Sequence, residues 1–349
     1  MPQIFQFNQP FALESGDVLP GYHLAYTTYG ELNRKKDNVV WVFHALTANS
    51  DPAEWWPGLV GEGKLFDPSE YFIVCVNMPG SCYGSIGPLE LNPQTNQPYY
   101  HSFPLFTTRD MIRSYQPLKR SLGIDKVRIG IGGSMGGQQL LEWAVEEPDL
   151  FSYIFPIATN ASHSPWAIAF NASQRFCIET DLTWKNSEPM AGLAGMKTAR
   201  SVALLSYRSY ETYKIGQAES TNEKIDNFSS ESYQRYQGEK LANRFNAFSY
   251  YVLSKSMDSH NVGRGRKSVE DALRQIRART LSIGIKSDLL FPIEEQEYLA
   301  AHIEGAKFRL IDSYYGHDGF LLEFEQIQKH IIEFLKKDLL TSQKLETTN

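Results

Sequence analysis

The chain has few cysteines, and their pattern excludes a disulfide framework. Of its 349 residues only three are cysteine, namely Cys75, Cys82 and Cys177, and they follow no regular spacing. Domains that depend on disulfides carry a denser and even-numbered set and occur in oxidising compartments. We therefore expect a reducing, cytoplasmic location.

The sequence also lacks long apolar runs and an excess of basic residues. No apolar run reaches the length of about 18 residues that a membrane-spanning helix needs, and "MPQIFQFNQPF" at the N-terminus does not have the pattern of a signal peptide. The formal net charge is −6, which disfavours an extended surface for nucleic acid or acidic membranes. We expect neither nucleic acid nor a membrane among its partners.

Short apolar runs recur along the chain, with loops and helical patterns between them. Six of these runs read as buried strands, at 38–46, 71–80, 126–133, 151–159, 280–288 and 307–314. Continuous apolar strands that alternate with helices indicate a parallel sheet covered on both faces. The sequence thus predicts an α/β fold with a mostly parallel central sheet flanked by helices.

One long segment differs from the rest because it lacks strand-like runs and is rich in Tyr, Ser, Asn, Arg and Glu. The sheet pattern resumes after it, which favours an inserted helical lid over a separate domain. We predict a first part of the sheet domain at 1–161, a helical lid at 162–274 and a second part of the sheet domain at 275–349.

The stretch "VRIGIGGSMGGQQLLEWA" places Ser134 between an apolar run and a helical pattern. Its "GGSMG" fits the G-x-S-x-G motif, in which a sharp strand-to-helix turn exposes a nucleophilic serine. The glycine pattern of a dinucleotide site fails, because its third glycine would fall on Met135. The phosphate-binding loop fails too, since no Gly-Lys-Ser/Thr follows. A purely structural glycine-rich turn is the remaining alternative.

A serine nucleophile needs a base, and the base needs an orienting carboxylate. In α/β-hydrolases the chain order is Ser, then Asp or Glu, then His. Five histidines follow Ser134, and His317 lies just past the last apolar run, in the loop "YYGHDGF". Asp288 ends the run "TLSIGIKSD", at the sheet edge where ligands bind. Together these three residues form a candidate catalytic triad.

An oxyanion hole would complete such a site. One N–H would come from Met135, the residue after the nucleophile, and the other from the loop "FHALTANSD", where Leu46 is the candidate. We interpret His44 in that loop as a structural histidine. These residues indicate acyl transfer through an acyl-serine, with either water or another alcohol as acceptor.

The motifs together resemble one family more closely than G-x-S-x-G alone. "FHALT", "GGSMGG" followed by "LEWA", "SDLLFP", "GHDGFLLE" and the stretch "YQGEKLANRFNAFSYYVLSKSMDSHNVGRGR" are similar to homoserine O-acetyltransferases, α/β-hydrolases of the methionine pathway. The resemblance extends over nearly the whole chain. It implies Ser134 as nucleophile, Asp288 as orienting acid and His317 as base.

The same resemblance implies residues that bind the amino-acid acceptor. It identifies Arg200 and Tyr207 in "ARSVALLSYR", seven residues apart and so on one face of a helix, and also Asp318. An arginine can hold the carboxylate of an amino acid bidentately, and an aspartate can pair with its ammonium group.

The implied reaction moves an acetyl group from acetyl-CoA to the hydroxyl of L-homoserine in two half-reactions with ping-pong kinetics. Acetyl-CoA would be a co-substrate, with no bound cofactor and no metal, and the resemblance implies a homodimer. The alternatives are a succinyl-CoA donor, an L-serine acceptor, a serine ester hydrolase and a binding protein without activity. Ala48 to Asp51 depart from the family pattern, which usually has a Gly and then a His after "HALT".

Overall fold

The structure is a computed structural model that describes residues 2–346, with only the backbone described for 338–346. Its centre is an eight-stranded sheet. In spatial order the strands are β1 (Gln3–Phe7), β4 (Tyr22–Tyr29), β6 (Phe72–Val76), β5 (Val39–Phe43), β9 (Val127–Gly133), β10 (Phe151–Ile157), β11 (Arg279–Ile285) and β12 (Lys307–Ile311). Two small hairpins pair β2 (Phe11–Ala12) with β3 (Val18–Leu19), and β7 (Leu91–Asn92) with β8 (Gln97–Pro98).

Six neighbouring strands of the sheet, from β6 to β12, are parallel, and β1 and β4 add an antiparallel edge. The six parallel strands are those that the apolar runs predict. The antiparallel pair was not predicted, because β1 and β4 carry alternating or mixed polarity: β1 has no fully buried residue, and only part of β4 is buried.

The two faces of the sheet are covered by separate apolar layers, and β5 shows how its sequence serves both. All five of its side chains are buried. Val39, Trp41 and Phe43 belong to one apolar cluster, whereas Val40 and Val42 belong to the other. Since side chains alternate along a strand, a continuous apolar run is what a strand buried on both faces requires.

Twelve α-helices are described. They are α1 (Pro52–Trp55), α2 (Thr108–Ser121), α3 (Met135–Glu146), α4 (Pro165–Glu179), α5 (Leu193–Tyr207), α6 (Tyr210–Gly216), α7 (Ser229–Ala242), α8 (Ala247–Asp258), α9 (Val269–Leu273), α10 (Ile293–His302), α11 (Gly319–Leu322) and α12 (Phe324–Glu346). Short 3₁₀ turns occur at Tyr100–Ser102 and Gly316–Asp318.

The helices from α4 to α9 all lie between β10 and β11 in the chain, within the segment 162–274. In this segment α5 packs against both α4 and α7. No helix within residues 2–346 is both long and apolar enough to cross a membrane. The homodimer and the cytoplasmic location stay predictions.

Candidate active site

Ser134 occupies the sharp turn between β9 and α3. Its backbone has φ +56° and ψ −127°, a conformation that residues with a side chain rarely adopt. A Cβ on Gly132 would lie 2.5 Å from the backbone of Gly136, and one on Gly136 would lie 2.1 Å from the carbonyl oxygen of Phe43. The flanking glycines are therefore required by close backbone contacts on both sides of the serine.

The hydroxyl of Ser134 does not cap the helix that follows it. The residue stands at the N-cap position of α3, where a serine usually accepts a hydrogen bond from the first helical turn, but its side chain makes no such bond. Ser134 is only 5% exposed. It lines a cavity of about 520 Å³, which we call the serine cavity; the loop 45–49, α5, α7 and the segment 317–321 also contribute to its walls.

His317 and Asp288 form a buried hydrogen-bonded pair at the same place. His317 Nδ1 lies 2.7 Å from Asp288 Oδ2, while Asp288 Oδ1 accepts backbone N–H bonds from Leu290 at 2.8 Å and Phe291 at 2.9 Å. Because the carboxylate accepts, Nδ1 carries the hydrogen and Nε2 is left as a proton acceptor. Both Ser134 and His317 line the serine cavity.

The surroundings of His317 make it a stronger base than an ordinary histidine. Burial by itself lowers the pKa of His317, but the charge of Asp288 and its hydrogen bond outweigh burial, so the pKa lies above the usual 6.5. Asp318 and Glu295 add smaller contributions of the same sign. The ring of Phe291 stacks on the imidazole with centroids 5.1 Å apart, which holds the ring in one orientation.

The two predicted oxyanion donors are the residue after the nucleophile and a residue of the cavity wall. Met135 begins α3, so its N–H belongs to the helical turn that lacks partners within the helix, and Leu46 lines the serine cavity. His44 is structural, as predicted: its Nε2 accepts the N–H of Met78 at 3.1 Å and its Nδ1 bonds the carbonyl of Ala45 at 2.9 Å. Burial lowers the pKa of His44 to about 4, so the ring is neutral.

The loop from Ala48 to Asp51, which departs from the family pattern, is firmly held. Asp51 caps the N-terminus of α1 and accepts a 2.6 Å hydrogen bond from the hydroxyl of Tyr29. Ser50 is buried and accepts a hydrogen bond from the Asn77 amide at 3.0 Å. These contacts hold the loop in place beside Leu46.

Arg200 and Tyr207 come together on α5, inside the serine cavity. The guanidinium of Arg200 lies 5.4 Å from the centroid of the Tyr207 ring, and that ring lies 5.8 Å from the ring of His317. Among residues 2–346, Arg200 Nε is buried and has no hydrogen-bond partner. Since a buried unpaired donor is costly, this nitrogen points to a ligand with an acceptor group.

Asp318 has a partner that the sequence did not reveal. Arg208 Nη2 lies 3.1 Å from Asp318 Oδ2, and the two backbones also approach closely, because a Cβ on Gly316 would lie 2.8 Å from the carbonyl carbon of Arg208. Thr212 Oγ1 donates to the carbonyl of Tyr314 at 2.5 Å. The end of α5 and the first turn of α6 therefore hold the loop that carries His317.

Glu295 is a second residue that sequence reasoning missed. Burial raises the pKa of Glu295 to about 7, with a smaller contribution from the charge of Asp288, although hydrogen bonds from Ser164 and Asn160 oppose the rise. The Asn160 amide donates to Glu295 Oε2 at 2.9 Å. A second carboxyl that titrates near neutral pH thus lies close to the orienting acid.

Comparison with known proteins identifies the family of the chain. A family described as the alpha/beta hydrolase fold matches residues 38–324. The homoserine O-acetyltransferase of Cyclobacterium marinum is 51% identical over 326 residues, which cover 93% of each chain.

Solved structures with the same fold include both a protein named as a transferase and a protein named as an esterase. The homoserine O-acetyltransferase from Bacillus anthracis superposes with a TM-score of 0.87 at 25% identity, covering 96% of this chain and 97% of that one. The esterase E22 superposes with a TM-score of 0.86 at 23% identity, covering 96% and 99%. The fold is common to transferases and esterases, so the side chains of the cavity must distinguish them.

Proposed function

Because the chain belongs to the homoserine O-acetyltransferase family of α/β-hydrolases, we propose that it transfers an acetyl group from acetyl-CoA to the hydroxyl of L-homoserine, in methionine biosynthesis. One observation carries the proposal. The cavity that contains Ser134 and His317 also contains Arg200 and Asp318, a cation and an anion that match the two charged groups of a free amino acid.

The first half-reaction acylates the enzyme. His317 Nε2 takes the proton of the Ser134 hydroxyl while Oγ attacks the thioester carbonyl of acetyl-CoA. The N–H groups of Leu46 and Met135 stabilise the negative charge that develops on the carbonyl oxygen. The carbon–sulfur bond then breaks, His317 returns the proton to the leaving thiolate, and free CoA departs from acetyl-Ser134.

The second half-reaction transfers the acetyl group to the acceptor. Arg200 binds the carboxylate of homoserine and Asp318 binds its ammonium, which directs the side-chain hydroxyl toward acetyl-Ser134. His317 removes the proton of that hydroxyl, the oxygen attacks the acetyl carbonyl, and the proton passes to Ser134 Oγ as its ester bond breaks. Since CoA leaves before homoserine reacts, the kinetics are ping-pong.

The inserted helices act as a lid in this account. Side chains of α5 and α7 line the serine cavity that contains Ser134, and in the proposed reaction they limit the access of water that would otherwise hydrolyse the acetyl-enzyme. An ester hydrolase is the second candidate, favoured by the fold shared with esterase E22. A hydrolase of simple esters needs no cation to bind an acceptor carboxylate, so the position of Arg200 in the serine cavity, with its buried Nε lacking a partner, favours the transferase.

An assay of thiol release tests the proposal. The enzyme is given acetyl-CoA or succinyl-CoA with homoserine, with serine or without an acceptor. We expect rapid CoA release only with acetyl-CoA and homoserine together. CoA release at one rate with and without amino acids would refute the transferase and favour the hydrolase, and a preference for succinyl-CoA or serine would correct the substrate pair.

Replacing Arg200 by methionine should impair the acceptor half-reaction selectively. The loss of a charge-assisted bidentate contact should raise KM for homoserine roughly 10- to 100-fold, while the burst of CoA release that accompanies acylation keeps its rate. Steady-state kinetics and stopped-flow thiol detection measure the two effects. The exposed Arg235 on α7 provides a control, and Arg235→Met should change neither value. A similar loss in both half-reactions would contradict the role assigned to Arg200.

A further inference from the structure

The positively charged side chains that line the serine cavity outnumber the carboxylates that line it. Its lining includes four Arg or Lys side chains and two carboxylates, although the whole chain has a net charge of −6. Asp318 pairs with Arg208, and the other carboxylate, Glu54, accepts a hydrogen bond from the Asn49 amide at 2.7 Å. Arg200 is assigned above to the acceptor, which leaves two cations unexplained.

These two cations lie at the end of α7 and in the turn that follows it. Gln237, Lys240 and Leu241 line the serine cavity from α7, where positions spaced by three and four residues share one face of a helix. Arg244, two residues beyond the last residue of α7, lines the same cavity. Lys240 and Arg244 are exposed, and neither forms an ion pair with a carboxylate among the side chains described, those of residues 2–337. The nitrogen of Lys240 lies 6.0 Å from the centroid of the Tyr236 ring.

Arg244 is held in a fixed position at this rim. Its Nη1 donates to the carbonyl of Thr47 at 2.5 Å and to the hydroxyl of Tyr83 at 2.6 Å. In the described part of the chain these bonds leave Nε and Nη2 without a partner. Thr47 directly follows Leu46, so Arg244 joins the rim of the cavity to the loop of the oxyanion hole.

We propose that Lys240 and Arg244 bind the phosphate groups of the coenzyme A thioester that acylates Ser134. The inference rests on the proposed function in taking an acyl-CoA as donor. The pantetheine arm of this donor separates an uncharged thioester, which must reach Ser134, from a diphosphate and a 3′-phosphate at its far end. Exposed cations at the rim suit the anionic end, whereas the deeper Arg200, with its buried Nε, suits the small acceptor.

Two donors that differ only in the phosphates and nucleotide make the test specific. Acetyl-CoA and S-acetyl-pantetheine share the thioester and the arm, but the second lacks every phosphate. With homoserine as acceptor, Lys240→Glu should lower kcat/KM for acetyl-CoA about tenfold, since it removes one attraction and adds one repulsion at an exposed site. In the same variant, kcat/KM for S-acetyl-pantetheine should stay within about twofold of the wild-type value. KM for homoserine should also stay within about twofold of the wild-type value.

Arg235→Glu is the matched control, because Arg235 lies on the same helix, is exposed and pairs with Glu231 away from the cavity. Arg235→Glu should leave kcat/KM for both donors unchanged. Arg244 is less suitable for the test, since its removal would also loosen the loop that carries Leu46. A second measurement needs no variant: in the wild type, rising ionic strength should raise KM for acetyl-CoA and not that for S-acetyl-pantetheine.

The outcomes separate this inference from the proposed function. Equal losses for both donors in Lys240→Glu, or no loss for either, would overturn the phosphate site while the wild type still turns over acetyl-CoA and homoserine. A salt dependence common to both donors would overturn it as well. A wild type that uses neither donor with homoserine, yet hydrolyses simple acetyl esters, would instead overturn the proposed function.

Discussion

Ser134→Ala should reduce turnover of acetyl-CoA and homoserine by about 10⁵-fold or more. The hydroxyl is the only group of the proposed mechanism that forms a bond to the acetyl carbon, and its loss leaves only binding and the oxyanion hole. Thiol release followed over hours measures the residual rate.

The same variant should keep its fold. Alanine retains the Cβ that Ser134 already places at φ +56°, and the Ser134 side chain does not cap α3. Far-ultraviolet circular dichroism and the thermal midpoint should match the wild type. A folded Ser134→Ala enzyme that retains a tenth or more of the wild-type rate would show that another residue is the nucleophile.

Asp288→Asn should lower kcat/KM by about 10⁴-fold. The carboxylate makes Nδ1 of His317 the donor, at 2.7 Å, and so leaves Nε2 free as the base. An amide can donate instead of accepting, which favours the tautomer with hydrogen on Nε2. The buried pair would keep its packing, but His317 would be a weaker base. Steady-state kinetics measure this effect, and thermal unfolding serves as the control for stability. A loss below tenfold would contradict the role of Asp288.

The pH dependence gives a separate signature of the same pair. Because the pKa of His317 is raised in the folded enzyme and the base must be unprotonated, activity should fall as the pH drops through a midpoint above 6.5. Asp288→Asn removes the charge and the hydrogen bond that raise the pKa of His317. Burial remains and lowers that pKa, so the midpoint of the pH profile should shift to lower pH. Asp318 and Glu295 also raise the pKa of His317 and are present in both enzymes, but Glu295 has a pKa of about 7 and titrates in the same range. An unchanged midpoint would assign the titration to another group.

The parts of the site that follow from local sequence could be predicted. The sharp turn at Ser134 is specified by its flanking glycines, because the contacts that exclude a Cβ there involve the neighbouring turn and strand. Asp288 follows a continuous apolar strand, and His317 follows the next one along the chain. Parallel strands bring their carboxyl ends to one edge, so the order of these residues was enough to predict that they meet.

Contacts between distant segments carry no such local signal. The ion pair of Arg208 with Asp318 joins the end of α5 to the loop after β12, and Arg208 looks like an ordinary polar residue at the end of a helix. Glu295 on α10 looks like a surface residue until burial beside Asp288 is known. The antiparallel strands β1 and β4 lack a continuous apolar run, so their sequences resemble loops.

The mass of the intact enzyme after exposure to acetyl-CoA alone tests the central claim most directly. We expect a gain of one acetyl group per chain, located on the peptide that contains Ser134, and its removal when homoserine is added, with O-acetylhomoserine formed in equal amount. An enzyme that gains no acetyl group, gains it on another residue, or loses it no faster with homoserine than in buffer would contradict the account.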